Sequence, residues 1–261
     1  MDSLMIKAAF FDVDGTLLSH TTSSIPKSTC DSLAALREKG IKTYLCTGRH
    51  AVELDLLPVS DIPFDGYITL NGHLCLDEQR KPVFGLPFPK DITIALVNLF
   101  KERLLPLVLV EEGGLTLNFV NDTVIQAQKA ISTPVPSIAS YDGNPIFQAT
   151  AFISREDDER IRSMLPPCCH TARWNEYGVD IILNGGGKAV GIRHIIERDG
   201  ILPEECIAFG DAENDIEMLE FCGIGVAMGN AQEKVKEIAD YVTTDIDEDG
   251  IRNALQYYNI I

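Results

Sequence analysis

Short apolar strands alternate with helices at both ends of the chain, and this alternation is compatible with few folds. The segment Ile6 to Val13 is an almost unbroken apolar run, as expected of a strand that is buried on both faces of a parallel sheet. The pattern predicts further strands over 41–46, 66–70, 206–209 and 223–226, and helices over 26–39, 188–199, 214–221 and 232–239. Alternation of this kind predicts an α/β fold with a doubly wound, Rossmann-like parallel sheet.

The middle of the chain follows a different pattern. Its helices, predicted over 91–104, 122–131 and 156–165, are separated by strand pairs, predicted over 107–110 with 115–120 and over 170–174 with 180–183. Gly113-Gly114 is a suitable hairpin turn for the first pair. We therefore expect a second, α+β domain over 83–185, inserted into a core domain that is formed by 1–82 and 186–261.

The charge balance limits the partners of such a protein. The chain has 39 acidic and 22 basic residues and a formal net charge of −17. A surface this acidic repels nucleic-acid backbones and anionic membranes, so we expect neither as a partner. An anionic substrate would need a local cation, supplied by a metal ion or by a placed Lys or Arg.

The cysteines bear on the compartment. There are seven, an odd number, and none is arranged as Cys-x-x-Cys, so neither a zinc knuckle nor a thioredoxin-type pair is indicated. Reduced cysteines in a cytoplasmic protein are the expectation.

Two carboxylates follow the first strand. Asp12 and Asp14 are two residues apart, so on an extended chain they share a face, at the strand end where open α/β sheets bind their ligands. At ~4 Å their repulsion would be about 4 kcal/mol at an effective dielectric constant of 20. The pair therefore predicts a bound cation or a retained proton. The alternative is an ordinary turn capped by Asp and Gly.

A second acidic cluster follows a strand near the end of the chain. Asp211, Asn214 and Asp215 lie between the predicted strand over 206–209 and the next helix. Carboxylates in such a position can bind Mg²⁺, which takes one or two of them together with phosphate oxygens and water. Simple capping of the helix is the alternative.

Two further segments suit an anionic ligand. Thr47-Gly48-Arg49 ends the second strand and offers a hydroxyl and backbone N–H groups, which is a favourable arrangement for phosphate. Lys188 follows three glycines at the start of a helix, but Ala189 stands where a P-loop requires Ser or Thr, so nucleoside triphosphate binding is not indicated. A merely solvated Lys188 remains the alternative.

These four segments resemble, in their order along the chain, the four motifs of the haloacid dehalogenase (HAD) superfamily of phosphotransferases. The segments are Asp-x-Asp-Gly-Thr, Thr-Gly-Arg, a lone Lys and Gly-Asp-x-x-Asn-Asp. The insert resembles the type IIB cap of the Cof-type branch, whose members are mostly sugar-phosphate phosphatases. Asn71-Gly72 and the run over 225–231 are also typical of that branch. The resemblance covers the whole chain.

The resemblance implies a role for each motif residue. Asp12 is expected to attack phosphorus and form an aspartyl-phosphate, and Asp14 to act as the general acid and then the general base. Mg²⁺ is expected on the Asp12 side chain, the Asp14 backbone carbonyl and Asp211, with Asp215 in support. The residues expected to hold the phosphoryl group are Val13, Thr47, Gly48, Lys188 and Asn214.

The resemblance also implies the substrate class. We expect a monomeric, Mg²⁺-dependent phosphatase that acts on a small phosphorylated metabolite, with hexose phosphates among the best substrates. The expected substrate contacts are Arg49, Asn71, Glu111 and Arg173. Two alternatives stay open, namely a phosphomutase of similar architecture and a phosphosugar-binding regulator without turnover. Asp14 favours hydrolysis, because relatives with long-lived aspartyl-phosphates often have Thr at that position.

Overall fold

The computed structural model describes residues 5–131 and 133–261, and the chain divides into two compact units. One unit is formed by the chain up to Phe84 together with Gly187–Ile261, and the other is formed by Gly85–Gly186. Residues 1–4 of the predicted core domain lie outside the described part of the chain.

The first unit is built on an eight-stranded sheet in the order β13-β12-β11-β1-β2-β3-β4-β5. Its strands are β1 (Ala8–Phe11), β2 (Lys42–Cys46), β3 (Gly66–Thr69), β4 (Leu74–Asp77), β5 (Pro82–Gly85), β11 (Cys206–Gly210), β12 (Ile224–Ala227) and β13 (Tyr241–Val242). From β13 to β3 every neighbouring pair is parallel, and β4 is antiparallel to β3. The predicted α/β class is confirmed.

Helices lie between these strands in the sequence, and one more follows the last strand. They are α1 (Lys27–Glu38), α2 (Ala51–Leu54), α6 (Lys188–Asp199), α7 (Ile216–Phe221), α8 (Glu233–Ile238) and α9 (Gly250–Tyr257). All four residues of β1 are fully buried, which explains the unbroken apolar run in the sequence. Phe10 packs in one apolar cluster with Ile192 and Ile195 of α6. The next residue, Phe11, faces the opposite side and stacks on Phe209 with ring centroids 5.0 Å apart.

The strand order decides where the polar strand ends meet. The central strand β1 lies between β11 and β2, and Ala8 is in register with Cys206 on one side and with Lys42 on the other. Because all three strands are parallel, their carboxyl ends lie at one edge of the sheet. The residues that follow these strands are therefore neighbours there, although Asp211 after β11 is about 200 positions from Asp12 after β1.

The second unit has a five-stranded sheet in the order β7-β6-β8-β10-β9, and all its neighbouring pairs are antiparallel. Its elements are α3 (Lys90–Glu102), β6 (Leu107–Glu111), β7 (Gly114–Leu117), α4 (Asp122–Ala130), β8 (Ile146–Phe152), α5 (Asp158–Met164), β9 (Cys169–Arg173) and β10 (Gly178–Leu183). Leu96 and Phe100 of α3 share an apolar cluster with Leu107 and Leu109 of β6. The central strand, β8, is missing from the sequence prediction.

Two observations concern the predicted surroundings of the protein. Over 5–131 and 133–261, no helix combines the length and the apolar character needed to cross a membrane. The seven cysteines all lie in these ranges, and each is a free thiol. The cytoplasmic location stays a prediction.

Candidate active site

The site is built where β1 and β11 end side by side. The Asp12 N–H donates to the Phe209 carbonyl at 3.0 Å, which extends the parallel pairing by one residue. Asp211 directly follows β11. The two carboxylates that the sequence placed in separate motifs are thereby brought to one point of the sheet edge.

Three carboxylates converge at this point. One side-chain oxygen from each of Asp12, Asp211 and Asp215 lies within 4.8 Å of the other two. Asp215 is held from behind, because its Oδ2 accepts from the backbone N–H groups of Asp211 and Ala212, at 2.9 Å each. The capping alternative is thus partly realised by Asp215, which stabilises the turn and also contributes an oxygen to the cluster.

Lys188 is the cation of this cluster. Its ammonium group donates to Asp12 Oδ1 at 2.6 Å and to Asp215 Oδ1 at 2.5 Å, and its side chain is fully buried. Burial disfavours the charged form, but Asp12 and Asp215 outweigh it and raise the pKa of Lys188 above its ordinary value. The alternative of a merely solvated lysine is therefore wrong.

The pKa values of two of these carboxylates are raised, so their ionised forms are disfavoured. Burial, with repulsion from Asp215 and Asp14, raises the pKa of Asp12 to about 7 even though Lys188 opposes the shift. Burial and repulsion from Asp12 and Asp215 raise the pKa of Asp211 to about 9. Three ionised carboxylates and one lysine have a net charge of −2, which one divalent cation would balance. A cluster of oxygen ligands with this excess of negative charge suits a hard divalent cation such as Mg²⁺.

Gly15 allows the two acidic loops to approach each other. It has a φ of +84°, and a Cβ at this position would collide with the carboxylate of Asp211. A glycine meets both requirements, because it adopts positive φ freely and presents no side chain. Next to it, the Thr16 hydroxyl donates to Asp211 Oδ1 at 3.0 Å, so the first motif also orients the carboxylate of the last one.

Asp14 and Arg49 form a pair that sequence reasoning did not anticipate. The guanidinium donates from Nε to Asp14 Oδ2 at 2.6 Å and from Nη2 to Asp14 Oδ1 at 2.7 Å. The Arg49 side chain is buried and that of Asp14 is partly exposed. Arg49, expected to contact substrate, thus holds the carboxylate of Asp14 in place. The Asp14 side chain stands outside the three-carboxylate cluster, and contact of its backbone carbonyl with a metal stays a prediction.

The remaining motif residues of the core unit lie around the same sheet edge. Thr47 is buried after β2, and its hydroxyl accepts from the Arg49 N–H at 3.1 Å. Asn214 donates from its side chain to Asn71 Oδ1 at 3.0 Å. Val13, which carries one of the peptide groups expected to face phosphate, is fully buried. Their contacts with a phosphoryl group stay a prediction.

Two expected substrate residues belong to the other unit. Arg173 donates to the Asp158 carboxylate and, from Nη1, to the carbonyls of Ile153, Asn175 and Glu176. These bonds tie β9 to its neighbouring loops, and contact of Arg173 with substrate stays a prediction. Glu111 is buried, and its Oε2 accepts from Asn144 at 3.0 Å.

Comparison with known proteins agrees with this geometry. Residues 9–255 match the family model of haloacid dehalogenase-like hydrolases. The chain is 32% identical to the protein named "Putative phosphatase YkrA" of Bacillus subtilis (strain 168) over 264 residues, which covers all of both chains.

Two solved structures are similar along the whole chain. One is the HAD subclass IIB sugar phosphatase BT4131, with a TM-score of 0.89 and 36% identity over 98% of this chain and 100% of that one. The other is the HAD phosphatase BT1666 from Bacteroides thetaiotaomicron, with a TM-score of 0.89 and 32% identity over 100% of this chain and 97% of that one.

Proposed function

Because the chain belongs to the haloacid dehalogenase-like hydrolase family and is a phosphatase of that family, we propose that it hydrolyses hexose phosphates with the help of Mg²⁺. The proposal includes a covalent step in which the phosphoryl group is carried by Asp12. The observation that carries it is the buried cluster in which Lys188 contacts Asp12 and Asp215 while Asp211 lies beside them. The sugar is supported by the similarity to a sugar phosphatase.

Asp12 is the nucleophile in this account. Lys188 holds Asp12 Oδ1 at 2.6 Å and favours the ionised form, which is the one able to attack phosphorus. The bond from phosphorus to the sugar oxygen breaks as the bond to the carboxylate oxygen of Asp12 forms. A phosphate dianion entering an acidic protein needs positive charge at the point of attack, and Lys188 supplies part of it.

Asp14 moves the protons. It gives a proton to the departing sugar oxygen and then accepts one from the water that hydrolyses the aspartyl-phosphate, a contribution worth roughly 10²–10⁴-fold in rate. The paired hydrogen bonds from Arg49 fix the carboxylate plane of Asp14. Arg49 is therefore a positioning residue in this proposal.

Asp12, Asp211 and Asp215 would hold the divalent cation, together with the backbone carbonyl of Asp14. When bound, the cation would neutralise the phosphate oxygens and stabilise the charge that develops during transfer. The N–H groups of Val13 and Gly48, the Thr47 hydroxyl and the Asn214 carboxamide complete the proposed set of donors to the phosphoryl oxygens.

A substrate panel tests the proposal. The purified protein is incubated with Mg²⁺ and with hexose, pentose and cofactor phosphates, and released orthophosphate is measured. We expect hexose phosphates among the best substrates, no release by Asp12→Asn, and loss of activity with a chelator that Mg²⁺ restores. An isomeric sugar phosphate in place of orthophosphate would identify a phosphomutase. Turnover of cofactor phosphates alone would contradict the proposed substrate class, and binding without turnover would indicate a regulator.

A further inference from the structure

The turn that follows β3 has an unusual backbone. Leu70, Asn71 and Gly72 have φ values of +52°, +51° and +85°. Positive φ is unfavourable for a leucine, is better tolerated by asparagine and is free for glycine. Three such residues in succession persist only where neighbouring groups determine the backbone. Contacts with neighbouring segments therefore hold this turn in its conformation.

The backbone of the turn is bonded to the segment that follows β2. The Asn71 N–H donates to the Thr47 carbonyl at 3.0 Å, and the Leu70 N–H donates to the Arg49 carbonyl at 3.2 Å. These two bonds enclose Gly48, whose N–H belongs to the proposed phosphate donors. The turn thus fixes the path of one wall of the proposed phosphate site.

The same turn packs against the start of α6. A Cβ on Gly72 would collide with the Gly187 carbonyl and lie 3.2 Å from the Gly191 nitrogen. Gly187 immediately precedes Lys188 and is the N-terminal cap of the helix. The contact between two glycines brings the backbone of the turn close to the helix end that carries the buried lysine.

The Asn71 side chain connects this wall to Asn214. Its carboxamide is buried, its Oδ1 accepts from Asn214 Nδ2 at 3.0 Å, and a Cβ on Gly48 would lie 3.1 Å from both its Oδ1 and its Nδ2. The carboxamide therefore fills the space between Gly48 and Asn214. An amide nitrogen carries two N–H groups, so Asn214 can donate one to Asn71 and the other to a ligand.

We propose that Asn71 is a positioning residue, which orients the Asn214 carboxamide and sets its distance from Gly48 so that both can donate to one phosphoryl group. This inference rests on the proposed phosphatase function and assigns Asn71 a role other than the expected contact with substrate. Asparagine suits the position because it combines a tolerated positive φ with a short side-chain acceptor.

The substitution Asn71→Gly distinguishes the contribution of the side chain from that of the backbone conformation. Glycine keeps the positive φ but removes the carboxamide. We expect orthophosphate, in the presence of Mg²⁺, to bind roughly 2–10-fold more weakly by calorimetry, as for the loss of one net hydrogen bond. We expect kcat/KM to fall roughly 10–100-fold through the misplaced donor, with little change in Tm. The matched control is Asn253→Gly, which removes two hydrogen bonds to Thr244 and Glu248 in the same unit and should leave phosphate binding unchanged.

Two double variants distinguish positioning from a merely structural role. If Asn71 acts through Asn214, Asn71→Gly should cost less than about twofold once Asn214→Ala is present, because contacting residues are not additive. Gly48→Ala should weaken phosphate binding in the native background, where its methyl group presses on the carboxamide, and should cost nothing further in Asn71→Gly. The single variant Gly48→Ala approaches the same contact from its other side, so it remains informative if Asn71→Gly folds poorly.

The outcomes separate the inference from the proposed function. Native phosphate affinity in Asn71→Gly, or costs of Asn71→Gly and Asn214→Ala that multiply, would overturn the positioning role while the phosphatase function stands. A wild-type protein that neither binds orthophosphate nor releases it from any ester would overturn both. Weakened binding in Asn71→Gly with coupling to Asn214 and to Gly48 supports the inference.

Discussion

Arg49 is the residue that we propose acts on the reaction through another side chain, that of Asp14. Its guanidinium makes two parallel hydrogen bonds to Asp14, and this forked geometry is specific to arginine. We expect Arg49→Lys to keep a positive charge but to lower kcat roughly 10–100-fold, because the carboxylate of Asp14 loses its fixed plane.

The measurement for Arg49→Lys is steady-state turnover of the best substrate from the panel. Arg80→Lys is the matched control, since Arg80 pairs with Asp55 on the surface of the same unit. If Arg49→Lys had the same kcat as the native protein, as is expected of Arg80→Lys, the proposal that Arg49 positions Asp14 would be wrong.

Asp211 gives the site a predictable dependence on pH. An unfolded aspartate loses its proton near 3.8, whereas partial burial and repulsion from Asp12 and Asp215 raise the pKa of Asp211 to about 9. Between these values the folded state binds more protons than the unfolded state, so its stability falls as pH rises. Mg²⁺ favours the ionised form, so we expect Mg²⁺ to raise Tm more at pH 8.5 than at pH 5.5.

A thermal melt at both pH values, with and without Mg²⁺, checks this expectation. Asp211→Asn should reduce the dependence of Tm on pH and also reduce the effect of Mg²⁺. An equal effect of Mg²⁺ at both pH values in the native protein would contradict the assignment of Asp211 to the cation site.

The helix α6 shows that packing can outweigh helix propensity at the scale of an element. Gly191 lies inside this helix, where alanine would ordinarily be better by about 1 kcal/mol. A Cβ there would lie 2.6 Å from Ile68 Cγ2 and 3.0 Å from the Gly72 Cα. Because overpacking costs roughly 1–3 kcal/mol, we expect Gly191→Ala to lower the free energy of unfolding.

Urea denaturation measures this change. Gly113→Ala is the control, because a methyl group at that position meets no atom within 4 Å. A more stable Gly191→Ala would show that α6 can shift away from the turn after β3, and the close packing described above would then not be decisive.

Some elements could be predicted from the sequence and others could not. β1 and α6 have clear signals: β1 is an apolar run buried on both faces, and α6 lies between Gly187 and Gly200, which flank its two ends. β8 has none, because all seven of its residues are buried although Gln148 and Thr150 interrupt the apolar run. Strands of this kind are recognised by their pairing with β6 and β10, which a single sequence does not show.

The residues of the site divide in the same way. The meeting of Asp12 with Asp211 follows from strand ends on one parallel sheet, and Lys188 was expected beside them. The bonds of Arg49 to Asp14 and of Asn71 to Asn214 depend on side-chain directions in loops. The bonds of Arg173 to the carbonyls of Ile153, Asn175 and Glu176 also depend on loops, and the sequence did not predict them.

The charge of the whole molecule makes a prediction about its partners. With a formal net charge of −17, the protein should repel polyanions, because nucleic-acid binding depends on cationic groups that neutralise phosphates. We expect no retardation of double-stranded DNA or of RNA in a gel at about 50 mM salt. A salt-sensitive complex would contradict this expectation and would indicate a basic surface that the net charge conceals.

The central claim is that Asp12 carries the phosphoryl group. Mass spectrometry of the peptides from the Asp14→Thr variant tests this claim most directly. Threonine cannot serve as the base that directs water, a contribution of roughly 10²–10⁴-fold, so the phosphorylated enzyme should accumulate with an activated phosphate ester and Mg²⁺. We predict the added phosphoryl mass on the peptide that contains Asp12, and its absence when Asp12→Asn is added. Phosphoryl mass on His73, His170 or a serine, or its persistence after Asp12→Asn, would contradict the claim.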